Sequence, residues 1–276
     1  MTDDHIHEHD RGLSHDLPTL LSRRRLLGVF GGAGALALAG CGIADSPTPA
    51  ATPTTPTTSA SGATSASAAT EEIPEETAGP FPGDGSNGIN VLTASGIVRS
   101  DLTTSFGGAS GEAAGVPLTV RLTVLDTGNG SAPLAGAAVH LWHCDIEGRY
   151  SLYDDSIKNE NYLRGVQETS DSGVVSFTTI YPAAYAGRWP HMHFEVYPSL
   201  DAATTAGGKL RTSQLALPEE SNDLVYATAG YQTSVRNMQG SSLATDNVFR
   251  DGWSLQLAKV TGDVPSGLTA TLNVPV

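Results

Sequence analysis

Residues 117–126, PLTVRLTVLD, alternate apolar and polar side chains with a period of two, which puts Leu118, Val120, Leu122 and Val124 on one face. The same short, strand-like runs recur as AAVHLWHC (137–144), GVVSFTTI (173–180), HMHFEVYP (191–198) and LTATLNVPV (268–276). Clusters of Gly, Pro, Asp and Asn, such as DTGNGSAP and SDSG, separate them. No long stretch has a helical period, although EESNDLVYAT (219–228) has room for one helical turn or two. Short strands without alternating helices predict an all-β fold, an antiparallel β-sandwich with long functional loops and little helix.

That pattern is confined to the C-terminal part of the 276-residue chain. Residues 46–70 consist only of Pro, Thr, Ser, Ala and Gly. They have no apolar face at any period and cannot bury enough surface to offset their ordering entropy, so they read as an extended linker. The acidic EEIPEE at 71–76 continues the linker in this reading, and the folded domain runs from Thr77 to Val276. Upstream, Ser22-Arg23-Arg24-Arg25-Leu26-Leu27 resembles a twin-arginine export signal, and the apolar run to Gly40 is short for a membrane span. Leu38-Ala39-Gly40-Cys41 is similar to a lipobox. Residues 1–40 are thus expected to be a signal peptide and 41–76 a linker. The product would be exported and lipid-anchored through Cys41 to the outer face of the bacterial cell membrane, or released extracellularly.

The other cysteine, Cys144, is then alone, so no disulfide within the chain supports the domain. Formal net charge is −14, and removing residues 1–40, with five acids and four bases, leaves −13. A surface this acidic argues against nucleic acid as a partner, because phosphate contacts need clustered Lys and Arg.

Four of the eight histidines precede the linker; the others are His140, His143, His191 and His193. On an extended strand His191 and His193 project from the same face, about 7 Å apart along the chain, and can converge on one metal ion. Met192, Phe194 and Val196 then face the core. Two histidines do not hold a catalytic metal alone. Candidate partners are Cys144, the carboxylates Asp145, Glu147 and Glu195, and the tyrosines Tyr150, Tyr153, Tyr181 and Tyr185. Phenolate is a hard anionic donor that suits ferric iron. A copper or zinc site of four histidines is a weaker rival, because His140 and His143, three apart, cannot share a face on a regular strand.

GAAVHLWHCDIEGRYSLYD (136–154), followed by NYLRGVQETSDSGVVSFTTIYPAAYAGRWPHMHF (161–194), resembles the core of the intradiol ring-cleavage dioxygenases. ETAGPF (76–81) is similar to that family's entry segment, and TSQLALPEE (212–220) to its strand beyond the paired histidines. The resemblance implies a mononuclear non-haem iron(III) held by Tyr150, Tyr185, His191 and His193. It also implies that Arg188 faces the substrate, that Gln214 lies near the reacting ring, and that Tyr185 doubles as a base. Tyr153, Tyr162 and Tyr181 are then ordinary aromatics, while Trp142 and His143 pack or support. The implied reaction uses O2 to cleave a catechol-type ring between its two hydroxyl-bearing carbons, giving cis,cis-muconate-type products. The helical dimerisation segment of cytoplasmic catechol dioxygenases has no counterpart here, so oligomeric state does not carry over. The alternative from another class is a non-catalytic β-sandwich surface lipoprotein, a binding or spacer module of the same fold.

Overall fold

The computed structural model describes residues 71–205 and 207–276; the signal sequence, Cys41 and the linker as far as Thr70 lie outside the described residues. The strands are β1 Pro117–Asp126, β2 Ala132–Pro133, β3 Ala138–Trp142, β4 Arg164–Glu168, β5 Val174–Ile180, β6 His191–Tyr197, β7 Arg211–Ala216, β8 Lys259–Asp263 and β9 Gly267–Pro275. Three short helices, Leu200–Thr204, Glu219–Tyr226 and Gln232–Met238, lie between β6 and β8.

Two sheets form. In one, β9 lies between β8 and β1, and β5 and β2 divide the far edge of β1; in the other the order is β4-β3-β6-β7. The period-two pattern supplies the layer between them. Leu118, Val120, Leu122 and Val124 of β1, with Phe177 of β5 and Ala270 and Val274 of β9, meet Val139 and Leu141 of β3, Met192, Phe194 and Val196 of β6, and Leu215 of β7. This is the sandwich expected from the alternation.

The pairing departs from the expectation at one place. Six strand pairs are antiparallel, but β1 and β9 run parallel, in register from Leu118 opposite Leu268 to Leu125 opposite Pro275. A parallel pair needs a long crossover, and here the other sheet and the helices separate the two strands in sequence. A strand's periodicity carries no information about its direction.

The folded body also begins before Thr77. Ile73 is fully buried in the central core, its N–H donates to the Pro275 carbonyl at 2.8 Å, and the Glu76 N–H donates to the Thr212 carbonyl at 2.8 Å. One apolar residue between acids gives no periodic signal, yet backbone pairing to the ends of β9 and β7 orders the segment. Strands β4 and β8 and the helix Gln232–Met238 were also not expected. β8 is mostly exposed, and the middle of β4 is Gly165–Val166, with a buried arginine before it.

All seven residues of β6 are buried. Its second face is covered by chain folded over the four-stranded sheet, and Arg164 of β4 holds two of those segments together. Its Nη1 donates to the Phe81 and Pro82 carbonyls at 2.8 and 3.0 Å, and its Nη2 donates to the Ser151 carbonyl at 2.9 Å.

Candidate metal centre

The outer face of the four-stranded sheet places the first two candidate donors. His191 and His193 sit side by side on β6, and His193 pairs in register with Trp142 of β3 on one side and Gln214 of β7 on the other. Cross-strand neighbours in register share a face, so the three side chains form a row. Trp142 lies flat between His193 and His140, with centroid distances of 5.1 and 4.6 Å, which limits rotation of the His193 ring. Gly79 closes its other side: a Cβ there would lie 3.1 Å from His193 Cε1, and φ is +70°. Glycine fits both requirements.

Two loops supply the tyrosines. Tyr150 follows a turn organised by Asp145, whose Oδ1 accepts the N–H groups of Glu147 and Arg149 at 2.9 and 3.0 Å and whose Oδ2 accepts Arg149 Nε–H at 2.9 Å. Gly148, at φ +85°, lets this turn approach the next loop, since a Cβ there would lie 3.1 Å from Tyr185 Cβ. Tyr185 lies between β5 and β6. The four rings form a closed group: Tyr150–Tyr185 and Tyr150–His193 centroids are 6.1 Å apart, Tyr185–His191 5.4 Å and His191–His193 4.8 Å.

His191 Nδ1–H donates to the Trp189 carbonyl at 2.6 Å, which leaves a lone pair on Nε2. That atom is 3.0 Å from Tyr185 Oη, 3.2 Å from His193 Nε2 and 3.3 Å from Arg188 Nη1. Burial, then the nearby Arg188, holds His191 well below the usual imidazole range; burial, then His191, does the same for His193. Both rings are therefore neutral ligand forms at pH 7. Tyr150 Oη is buried and has no hydrogen-bond partner. Burial, then the neighbouring Tyr185, pushes its phenol well above the ordinary value.

These observations meet a simple test for a metal. Among the described residues no group of three or more His, Cys, Asp and Glu is arranged to hold one. A metal here therefore needs the phenolic oxygens, and Tyr150 Oη is left buried without a satisfied hydrogen bond, with the Tyr185 phenol as its polar neighbour. A highly charged cation is the agent that ionises such a buried phenol at neutral pH. The donor set fits a ferric ion.

The other candidates are occupied elsewhere. Asp145 holds its turn, and Glu147 pairs with Arg149. Glu195 faces Lys209, and Cys144 Sγ–H points at the Ala183 carbonyl. His143 Nε2 is 2.7 Å from Thr179 Oγ1, and its Nδ1–H donates to the Cys144 carbonyl at 2.8 Å. Tyr181 Oη binds Ser221 and Asn222, and Tyr153 Oη accepts the Gly83 N–H. Gln214 lies beside the donors, but its Oε1 accepts Arg188 Nη2–H at 2.6 Å, so it directly holds the arginine.

Sequence reasoning missed Asp246, whose Oδ2 accepts Arg188 Nε–H at 3.0 Å. In TDNVF, an Asp before two apolar residues signals a turn or cap, and nothing in the spacing ties it to a residue 58 positions earlier. A cleft of about 760 Å³, lined by Pro74–Gly79, Lys209, Thr212 and Asp251 among others, opens beside the centre, and none of the four donors lines it. There, burial and then Asp251 raise the Glu76 carboxyl to about 7.

The family model described as "Dioxygenase" matches residues 93–201, a span containing all four donors and Arg188 but not Gln214 or Asp246. Catechol 1,2-dioxygenase 1 of Acinetobacter lwoffii is 39% identical over 70 residues, which cover 25% of this chain and 22% of that relative. An intradiol ring-cleavage dioxygenase structure from Tetranychus urticae shares 23% identity and has a TM-score of 0.59, covering 75% of this chain and 94% of that one. A second solved dioxygenase, also 23% identical, has a TM-score of 0.58 over the same shares. In sequence over residues 93–201, and in fold over the described sandwich, the chain resembles the intradiol ring-cleavage dioxygenases.

Proposed function

We propose that this protein is a non-haem iron(III) dioxygenase that cleaves catechol-type rings between the two hydroxyl-bearing carbons, adding both atoms of O2 to give cis,cis-muconate-type products. The observation that carries the reading is the convergence of Tyr185 Oη and His193 Nε2 on His191 Nε2, beside a Tyr150 Oη that has no partner. Tyr150, Tyr185, His191 and His193 would hold the iron. When bound, iron(III) supplies a Lewis acid for the two catechol oxygens and prepares the ring for O2.

The remaining work falls to side chains. Tyr185, as the phenolate, accepts the proton of one catechol hydroxyl. Arg188 lies 3.3 Å from His191 Nε2 and is buried. Burial lowers its pKa, but Tyr185 and Asp246 more than offset this, so it stays charged and can stabilise negative charge developing on the ring. Gln214 anchors Arg188 on the side facing β7. Trp142 and Gly79 hold the His193 ring between them, stacked parallel to the Trp142 indole.

The rival, a binding module that has lost its metal, leaves Tyr150 Oη buried without a partner, at a cost of about 1–3 kcal/mol with no return. Metal analysis with a visible spectrum tests the choice. About one iron per chain and a phenolate-to-iron(III) band are expected. A folded, iron-supplied protein that is colourless and holds zinc or copper would overturn it.

Export and lipid anchoring at Cys41 belong to the same proposal and rest on the sequence of residues 22–41. Among the described residues no helix is long and apolar enough to cross a membrane. Cys41→Ser is expected to give unlipidated protein, and replacing Arg23 and Arg24 by Lys to block export. Efficient export by a host lacking the twin-arginine route would contradict that pathway.

A further inference from the structure

We propose that Asp246 is the positioning residue that aims Arg188 at the donor cluster, a role that rests on the iron-dioxygenase reading above. A guanidinium presents its N–H groups in a rigid planar fork, so fixing two of its nitrogens fixes the direction of the third. Arg188 Nε–H donates to Asp246 Oδ2 at 3.0 Å, and Nη2–H donates to Gln214 Oε1 at 2.6 Å. Nη1 is left facing the donors, 3.3 Å from His191 Nε2. Gln214 is itself held, because its Nε2–H donates to the Thr77 carbonyl at 2.9 Å.

Asp246 is held just as firmly. Its Oδ2 also accepts the Trp189 N–H at 2.7 Å, and its Oδ1 accepts the Val248 and Phe249 N–H groups at 2.8 and 3.2 Å. Two carboxylate oxygens offer about four acceptor sites, and all are taken, so the side chain has no second orientation to adopt. The residue is 1% exposed. A neutral acceptor would satisfy Nε–H but leave a buried guanidinium uncompensated, whereas the carboxylate keeps it charged in place. One oxygen thus grips the loop that carries Arg188 and Trp189, and the other grips the turn at 248–249. The geometry of the first loop becomes a property of the second.

Asp246→Asn separates aiming from turn-holding, because an amide keeps one acceptor and puts a donor where the other stood. Four iron-loaded proteins are compared: wild type, Asp246→Asn, Arg188→Ala and the double variant, with kcat, KM, iron content and visible spectrum measured on catechol. Asp246→Asn is expected to lower kcat about 10²-fold with KM moving less than about threefold, and to keep iron and colour. In the Arg188→Ala background it should cost nothing more. Equal losses in both backgrounds would mean that Asp246 only holds its turn, and would overturn the proposal.

A second measurement needs neither iron nor a stable variant. In the metal-free wild type, the Arg188 Nε–H proton is expected to give a resolved NMR signal in slow exchange with solvent. Exchange as fast as that of an exposed arginine would overturn the positioning role. If the wild type neither holds iron nor cleaves catechols, the proposed function fails, and the Nε–H signal still decides the positioning claim.

Discussion

His193 and Glu195 are two residues apart on β6, share a face and are both buried, yet their surroundings differ in kind. The Glu195 carboxylate is provided for: Lys209 Nζ lies 2.5 Å away, Tyr197 Oη–H donates at 2.8 Å and His140 Nδ1 is at 3.4 Å. Lys209 also reaches Asp84 at 2.6 Å and so ties the covering loop to the sheet. At the His193 end, Tyr150 Oη and His193 Nδ1 have no partner, and two neutral imidazoles face each other. Burial is therefore common to both ends of the row and does not mark the site. Unmet polar atoms occur at both ends, His140 Nε2 beside Glu195 among them; what marks the His193 end is that a phenol oxygen and two neutral imidazoles, all able to bind a metal, meet there.

The largest effect is expected at the end where the candidate donors meet. Tyr150→Phe should lose iron affinity and colour in the free protein and in the catechol complex alike, since on the proposed reading this oxygen stays an iron ligand throughout. Tyr185→Phe should change the free-protein spectrum but, once catechol is added without O2, resemble the wild-type complex, and it should turn over more slowly. A Tyr185→Phe catechol complex clearly unlike that of the wild type would mean that Tyr185 does not give up its place when catechol binds.

Next in size is Arg188→Ala, which should keep iron and colour and lose about 10²–10³ in turnover, the usual consequence of removing a preorganised charge. Near-normal turnover, measured by product absorbance, would show that the guanidinium serves only the fold, as Lys209 does at the other end.

Lys209→Met sharpens the contrast from the structural side. It leaves Glu195 and Asp84 as buried carboxylates without their cation, and unfolding should become easier by about 3 kcal/mol, toward the low end for a broken buried pair because Lys209 is partly exposed. Iron content and spectrum should not change. Loss of colour with intact stability would mean that the two ends of the row are coupled.

The smallest effect concerns pH. Glu76 is raised from 4.5 to about 7, so the folded state holds its proton more tightly than the unfolded state does. Its contribution is fully present below pH 4.5 and is lost as pH rises through about 7, an effect on the order of 1–3 kcal/mol. Asp84 acts outside this window: burial raises it, but Lys209 and Ser86 bring it down to about 2, so its stabilisation is lost only on acidification below about pH 4. Urea unfolding of wild type and Glu76→Gln at pH 4.5 and pH 8 should show a slope in the first and a flatter response in the second. Identical slopes would assign the pH dependence to another group.

Much of the sandwich was legible in the chain because a strand's two-residue period is a local property. The core faces of β1 and β6 follow directly from PLTVRLTVLD and HMHFEVYP. The same locality explains what was not legible. Strand direction in the β1–β9 pair, the burial of Ile73 beside the end of β9, and the strand at 164–168 depend on partners far away in sequence. At the centre, the residue types and the shared face of His191 and His193 were readable from spacing, and the tyrosines came from resemblance.

Sequence by itself determined the alternation that makes two sheets and the paired histidines on one strand. Tertiary structure alone decided which of the competing donors were brought together. Asp145, Glu147, Glu195 and Cys144 are as capable of binding metal in composition as any tyrosine, but folding committed each of them to a neighbour. It also brought Asp246 to Arg188 across 58 residues. Chemical type is written residue by residue, whereas the satisfaction of a buried polar group depends on everything the fold places within about 3 Å of it.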